Sequence, residues 1–393
     1  MNQTINQRLR QPKALYLLFA VKMWECFSFY GMRALMVLYL VNQLGMDDLR
    51  AYGIYAIYGA LVEFGGVLGG RVADRLLGLR KAIVYGGWLI AAGHICLAIS
   101  EHSWAFFGGL ALIVIGSGLF STNISALLGA FYEEGDARRE QGFTLFYMGI
   151  NVGALLASLL CGIIGETYGW HYGFGLAAVG MVAGNILFLC SRNLLEDKGE
   201  FVGENPLPRE KILGTLLTIA ALPICAMMIA WENIFMQILP CLYMVSFLYI
   251  GRKMALSGSF TIEKLVKIGM SLAALALFFA AEDQTASALL VFSGRYATET
   301  LAGVSIHAST LLSINPFVII AGGMIMSWLK WNNERLVVVG LLLAAAVFAA
   351  LTAACCLPNA EGLVPLVCPR EVSPKDHHRS WDTHSRNNCS VGW

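Results

Sequence analysis

The sequence predicts an all-α, polytopic transmembrane protein, and three observations carry that expectation. Apolar residues make up 57% of the 393 residues and charged residues only 13%. With a mean hydropathy of +0.64, that leaves too little polar surface to cover a soluble globule of this size. The apolar residues fall in runs of roughly 20, the length at which a helix crosses bilayer hydrocarbon. Between the runs at 51–68 and 82–99 stands GGRVADRLLGLRK, residues 69–81. Its charges, Arg71, Asp74, Arg75, Arg80 and Lys81, cost too much to bury in hydrocarbon, so the segment is expected in water at the cytoplasmic face. Its glycines, Gly70 and Gly78 among them, let two helices turn and pack closely there.

Eleven spans follow from the apolar runs. The first, 14–43, comes after a polar start, Met1 to Lys13, that does not read as a cleavable signal. It carries Lys22, Glu25 and Arg33. The second, 51–70, includes Glu63 and ends at the polar hairpin; the third, 82–100, contains His94. The fourth is 104–130, the fifth, 142–165, holds Asn151, and the sixth, 172–191, completes a six-helix unit over 1–191. A polar linker, 192–211, with Pro206 and Pro208, suits a flexible cytoplasmic connection. Spans 212–231 and 234–250 form a pair, 212–250, or one hairpin at the periphery. A partial second bundle, 251–356, contains spans 265–283, which ends on Glu282 and Asp283, 307–329, which holds Asn315, and 336–356. Near Cys355 the hydrophobic pattern breaks, and 357–393 is expected to be a disordered tail because it cannot bury a core.

Placing the N-terminus in the cytoplasm puts most of the 27 Lys and Arg residues at cytoplasmic ends and leaves Arg50 and Arg295 in the opposite loops. A net charge of +1 gives no reason to expect a nucleic-acid partner. Cys26, Cys96, Cys161, Cys190, Cys225 and Cys241 lie in or beside apolar runs, where a thiol acts as a small hydrophobe. Cys355, Cys356, Cys368 and Cys389, with His377, His378 and His384, match no zinc spacing, so no metal or other cofactor is expected. No nucleophile with a nearby base and no phosphate loop is visible, which argues against an enzyme.

Several strings carry a family resemblance. FTLFYMGINVGAL at 143–155, LFSTNISALLGAFYEEGDARRE just before it, the hairpin GGRVADRLLGLRK, WECFSFYGMRAL in the first span and SINPFVI in the tenth resemble the proton-dependent oligopeptide transporters of the major facilitator superfamily. The match covers about residues 14–356. It implies two six-helix bundles around a central cavity that rock to give alternating access, with two extra inter-bundle helices at 212–231 and 234–250. It also implies di- and tripeptides as substrates, the proton as coupling ion, and a monomer in the bacterial inner membrane. Gly70, Asp74, Arg75, Gly78 and Arg80 would then be a gating hairpin.

Ionisable groups inside spans are costly and normally face a bundle interior or pathway; here they are Lys22, Glu25, Arg33, Glu63, His94, Glu282 and Asp283. Lys22 and Glu25, three apart on one helix, can pair. His94 reads as a satisfied interior histidine, and Trp24, Phe27 and Phe29 as packing. The planar guanidinium of Arg33 suits a carboxylate. The resemblance implies that it contacts the peptide C-terminus, with Tyr30 one turn away, and that Asp283 holds the peptide ammonium. Asn151 and Asn315 could bond an extended peptide backbone or bridge helices. The chain also departs from the family. Its E-x-x-E-R motif stands here as Lys22, Met23, Trp24, Glu25, Cys26; a helix-four lysine is replaced at Phe120, Ser121, Thr122, Asn123; and Glu63 stands where a tyrosine is usual. Lys22, Glu25, Glu63 and Glu282 are therefore expected as a rearranged charge network. The second bundle has three of its expected helices, and the break near Cys355 reads as a truncation or shifted frame. A remnant that does not transport, or a carrier of another small solute, is the alternative.

Overall fold

The computed structural model describes residues 10–329 except 101–102, 202–206, 257–261, 297–299, 302–303 and 306, together with positions 339, 340, 342, 346 and 349. The predicted span 336–356 lies almost wholly outside the described residues, and the predicted tail 357–393 entirely so.

Six helical rods form the first unit. α1, Lys13–Leu38, runs on through a wider turn, Tyr39–Gln43. α2, Asp48–Val72, continues through Ala73–Leu77, with Asp47 capping it by accepting from the Leu49 N–H at 3.0 Å. α3 is Leu79–Ile99 and α4 is Ser103–Gly129. α5, Arg138–Ala157, passes through Ser158–Gly162 into α6, Ile163–Tyr168, as one rod, and α7 is Trp170–Cys190. The polar hairpin at 69–81 is thus far tighter than a loop. Helix persists to Leu77, Gly78 alone makes the turn with φ 77°, and α3 begins at the next residue. That backbone conformation suits glycine and few other residues. Gly70 serves no turn; it sits on α2 facing Thr122 of α4.

α1 packs against α5 and α7, α2 against α4, and α3 against α4 and α7. The α2–α4 contact is backbone to backbone. A Cβ added at Gly69 would lie 2.0 Å from the Gly118 carbonyl oxygen, so only glycine permits that approach. The core divides into a cluster around Phe27, Tyr39, Tyr58, Phe106 and Phe174 and another around Leu18, Phe120, Phe146 and Phe188.

The linker begins with a short 3₁₀ turn, Arg192–Leu195. α8, Pro208–Ala230, and α9, Glu232–Leu256, follow. They change direction by 102° at Trp231, short of the reversal expected of an antiparallel pair, and together meet the requirements of one broken span. Both lie against the first unit, α8 on α4 and α2 and α9 on α2. Then come α10, Ile262–Asp283, and α11, Ala288–Tyr296. A two-residue antiparallel pairing of Thr300–Leu301 with Val304–Ser305 leads to a 3₁₀ segment, Ala308–Ser313, and α12, Ile314–Leu329.

Among the described residues, six helices are long and apolar enough to cross a membrane, or seven if the bent α8–α9 pair counts as one. The eleven predicted spans reduce to this number for identifiable reasons. The first, α1, carries Lys22, Glu25 and Arg33, which lower its hydropathy; it lies within the bundle and buries the first two. The tenth is described as an apolar helical stretch over Ala308–Gly322 that starts in 3₁₀ form, and the eleventh lies almost wholly outside the described residues. Only 17% of the apolar stretch of α10 is buried, against 44–67% for the other spans, so most of it faces outward.

Candidate functional site

Two polar sites lie on α1, about two turns apart. At the first, Lys22 Nζ stands 2.6 Å from Glu25 Oε2, an ion pair with side chains 10% and 4% exposed. Their i,i+3 spacing puts both on one helix face, and α4 completes the site. The Ser121 hydroxyl donates to Glu25 Oε1 at 2.9 Å and accepts from Lys22 Nζ at 3.4 Å. The Cys26 thiol donates to Glu25 Oε2 at 3.4 Å. Lys22 thus supplies the cation for Glu25 from within α1. Glu63, expected in the same network, is exposed on α2 and has no hydrogen bond or ion pair among the described residues. Helix spacing along α2 turns it elsewhere, so the network is Lys22, Glu25 and Ser121.

The second site is Arg33. Its guanidinium carbon lies 5.0 Å from the Tyr55 ring centroid, 5.7 Å from Phe29 and 5.8 Å from Tyr30. Such an aromatic cage holds a planar cation by its faces and leaves its N–H edges free to bond. One edge donates to the Tyr55 hydroxyl. The Nη2 group also donates to Asp283 Oδ1 at 2.7 Å, from α1 to the end of α10. The sequence reading placed these charges at opposite ends of an extended peptide, yet they touch. No peptide fits between them in this conformation.

Glu282, the neighbouring acid, points elsewhere. Its Oε1 accepts from the Asn315 amide at 3.4 Å, which joins α10 to α12. Asn315 is therefore an interhelical bridge. Asn151 is 5% exposed and donates its amide N–H to the Tyr147 carbonyl of its own helix at 3.0 Å, so it faces no open cavity. His94 is fully buried, with Nδ1 2.8 Å from the Ile90 carbonyl and Nε2 3.1 Å from that of Ser28; it ties α3 to α1. Trp24 and Phe27 pack edge to face at 5.6 Å.

In the hairpin, Asp74 and Arg75 are exposed, and Arg80 is the residue that engages. Arg80 donates to the Lys198 carbonyl at 2.6 Å and to the Leu195 carbonyl at 2.9 Å, and pairs with Glu200 at 3.0 Å. The first half of the linker is thereby strapped to the α2–α3 turn. Near the same end, hydrogen bonds from the Arg138 side chain hold the Asp136 carboxyl below its usual range, and burial raises the Tyr132 phenol.

Sequence reasoning missed the contacts that close the opposite end, where α1 finishes and α2 begins. Arg295 of α11 grips Asp48 of α2 with two bonds of 2.7 Å. Arg50 lies 3.3 Å from Glu232, which is buried at the start of α9. Glu166 of α6 accepts from the Ser309 N–H at 2.9 Å and from its hydroxyl, and Thr167 lies 3.3 Å from His307 Nε2. The one available signal was that Arg50 and Arg295 stood on the wrong side of the basic-residue bias. A cation misplaced by that rule is held there by a partner acid.

The profile of the POT family matches residues 80–354. The chain is 34% identical over 335 residues to the uncharacterized transporter YclF of Bacillus subtilis, covering 81% of this chain and 67% of that protein. It is 31% identical over 363 residues to the dipeptide and tripeptide permease A of Proteus mirabilis, covering 90% and 74%. Among solved structures it resembles a peptide transporter POT in complex with sulfate, at 36% identity and a TM-score of 0.72 over 81% of this chain and 68% of that one. A mutant of a peptide transporter POT in complex with alafosfalin superposes with the same TM-score at 37% identity over the same shares.

Proposed function

The chain belongs to the POT family, and we propose that it carries short peptides, di- and tripeptides, across the bacterial inner membrane together with protons. It acts as a monomer with its N-terminus in the cytoplasm, and as a carrier rather than an enzyme. The relatives named for dipeptides and tripeptides and for alafosfalin support the substrate class.

The observation that carries this reading is the Arg33–Asp283 contact at 2.7 Å. A cation caged by aromatics on α1 and an acid on α10 present opposite charges from opposite sides of the pathway, which suits the carboxylate and ammonium of a zwitterion. An extended tripeptide spans about 10 Å, so the two groups must part to admit it. Direct pairing is then the closed form at the α1–α2 end, and a bound peptide replaces one ion pair by two. With the N-terminus in the cytoplasm, that end faces outward. Of the family's usual first-helix acids only Glu25 is kept, Lys22 standing in place of the other and Ser121 in place of the helix-four lysine, so proton coupling falls to Lys22, Glu25 and Ser121 and to Glu63 and Glu282.

Uptake of labelled dialanine into proteoliposomes, with and without an acidic exterior, tests the proposal. The expected result is uptake above protein-free liposomes, suppressed by excess unlabelled di- or tripeptide, increased by the proton gradient and reduced at least tenfold by R33A. Uptake no greater than in protein-free liposomes overturns it. Uptake competed by single amino acids but not by peptides would reassign the substrate to smaller zwitterions.

A further inference from the structure

We propose that Glu166 is the pin of a clasp that shuts the pathway at the α1–α2 end, by seizing Ser309 on the segment that leads into α12. The inference goes beyond substrate choice and rests on the alternating-access reading above only for its purpose.

Three observations converge on it. First, one carboxylate oxygen of Glu166 accepts both the Ser309 backbone N–H, at 2.9 Å, and the Ser309 hydroxyl. Hydrogen bonds to an ionised acceptor are about twice as strong as neutral ones, and Ser309 is fully buried, so water cannot substitute without opening the contact. Second, a Cβ added at Gly162, one helical turn before Glu166, would lie 2.3 Å from Ser309 Oγ and 2.7 Å from its Cβ. The two segments therefore meet at a distance that only glycine allows. Third, Thr167 lies 3.3 Å from His307 Nε2, two residues before Ser309, so the contact is a short zipper rather than a single bond.

This clasp differs in kind from the ion pairs beside it. Asp48 and Arg295 are 33% and 45% exposed, and Asp283 of the Arg33 pair is 57% exposed; such pairs exchange readily with water and yield to substrate. In the Glu166–Ser309 contact the serine is fully buried and neutral, so the contact is not an ion pair that a zwitterion can exchange for its own charges. It sets how firmly the closed form is held, whatever occupies the pathway.

The distance between spin labels at Tyr168 and Phe317 tests the clasp. Both positions are exposed, one at the end of α6 and one on α12. The labels are introduced on ketone-bearing non-natural residues, so the ten native cysteines remain. Wild type should give one short, narrow distribution. E166A should add a longer component, with the closed-to-open ratio falling at least tenfold on loss of two charge-assisted bonds. E166Q, which keeps an acceptor oxygen, should fall between the two. G162L, which wedges the segments apart without touching Glu166, should give the longest distances. If E166A and G162L both reproduce the wild-type distribution, the clasp holds nothing and the proposal fails. Because the readout needs no substrate, that failure is distinct from absence of peptide uptake. A distribution that opens in E166A, with wild-type uptake no greater than in protein-free liposomes, would keep the clasp and reject the transport reading.

Discussion

Replacing Lys22 with alanine strands Glu25, whose side chain is 4% exposed, in the interior with the Ser121 hydroxyl and the Cys26 thiol as its remaining donors. Removing one member of a buried ion pair typically costs about 3–5 kcal/mol, because the surviving charge has lost both water and partner. For a unit the size of the first bundle, each kcal/mol shifts the melting temperature by roughly 2–4 °C. K22A should therefore melt ~6–20 °C lower. The double variant K22M/E25L removes both charges and fills the space, and should recover most of the loss. K267A supplies the contrast. Lys267 pairs with Glu263 on α10 at 2.7 Å, but the side chains are 72% and 75% exposed, where such a pair is worth about 0–1 kcal/mol. The assay is intrinsic-fluorescence melting of the purified protein in detergent. A K22A transition within 2 °C of wild type, or a double variant that melts below the single one, would refute the reasoning; the Lys22–Glu25 contact would then be dispensable to the fold.

Other outcomes follow from the same geometry. G69A should lower stability by about 1–3 kcal/mol, since its methyl group would collide with the Gly118 backbone, while G70A, with only Thr122 Oγ1 at 3.8 Å, should be tolerated; paired thermal melts decide this. R50A should cost more than E232Q, because Glu232 is 3% exposed and Arg50 49%, so losing the arginine strands a buried charge and losing the acid does not; equal melts would contradict it. R33K should lose peptide uptake nearly as fully as R33A, because an ammonium cannot stack in the Phe29, Tyr30 and Tyr55 cage while bonding Asp283; a wild-type uptake rate would remove the cage from the mechanism. The Asp136 carboxyl is depressed below 3.8 by Arg138. Its contribution is present above that pH and is lost only as pH falls through the lower folded value. D136N should therefore loosen the 131–137 loop at pH 7, as read by proteolysis, and leave it indistinguishable from wild type under strongly acidic conditions.

The amino-acid sequence by itself determined the class of the molecule and most of its first unit. Apolar runs of about 20 residues leave a membrane helix as the only economical structure, so α1 to α7 appear within a few residues of where the runs begin and end. The Lys22–Glu25 pair was legible for the same local reason, since two charges three apart on one helix share a face. Everything that depends on which helices meet was not. The 102° bend at Trp231, the contact of Arg33 with an acid 250 residues away, the turning aside of Glu63 and the Glu166–Ser309 clasp arise from packing between distant segments. Helical periodicity orients each side chain about its own axis but says nothing of its neighbour. Arg33 and Asp283 show the difference most plainly. Their charge inside predicted apolar spans marked both as functional from sequence, and only the tertiary structure brought them into contact, because the end of α10 is held near α1 by the turn and by α11 that follow it.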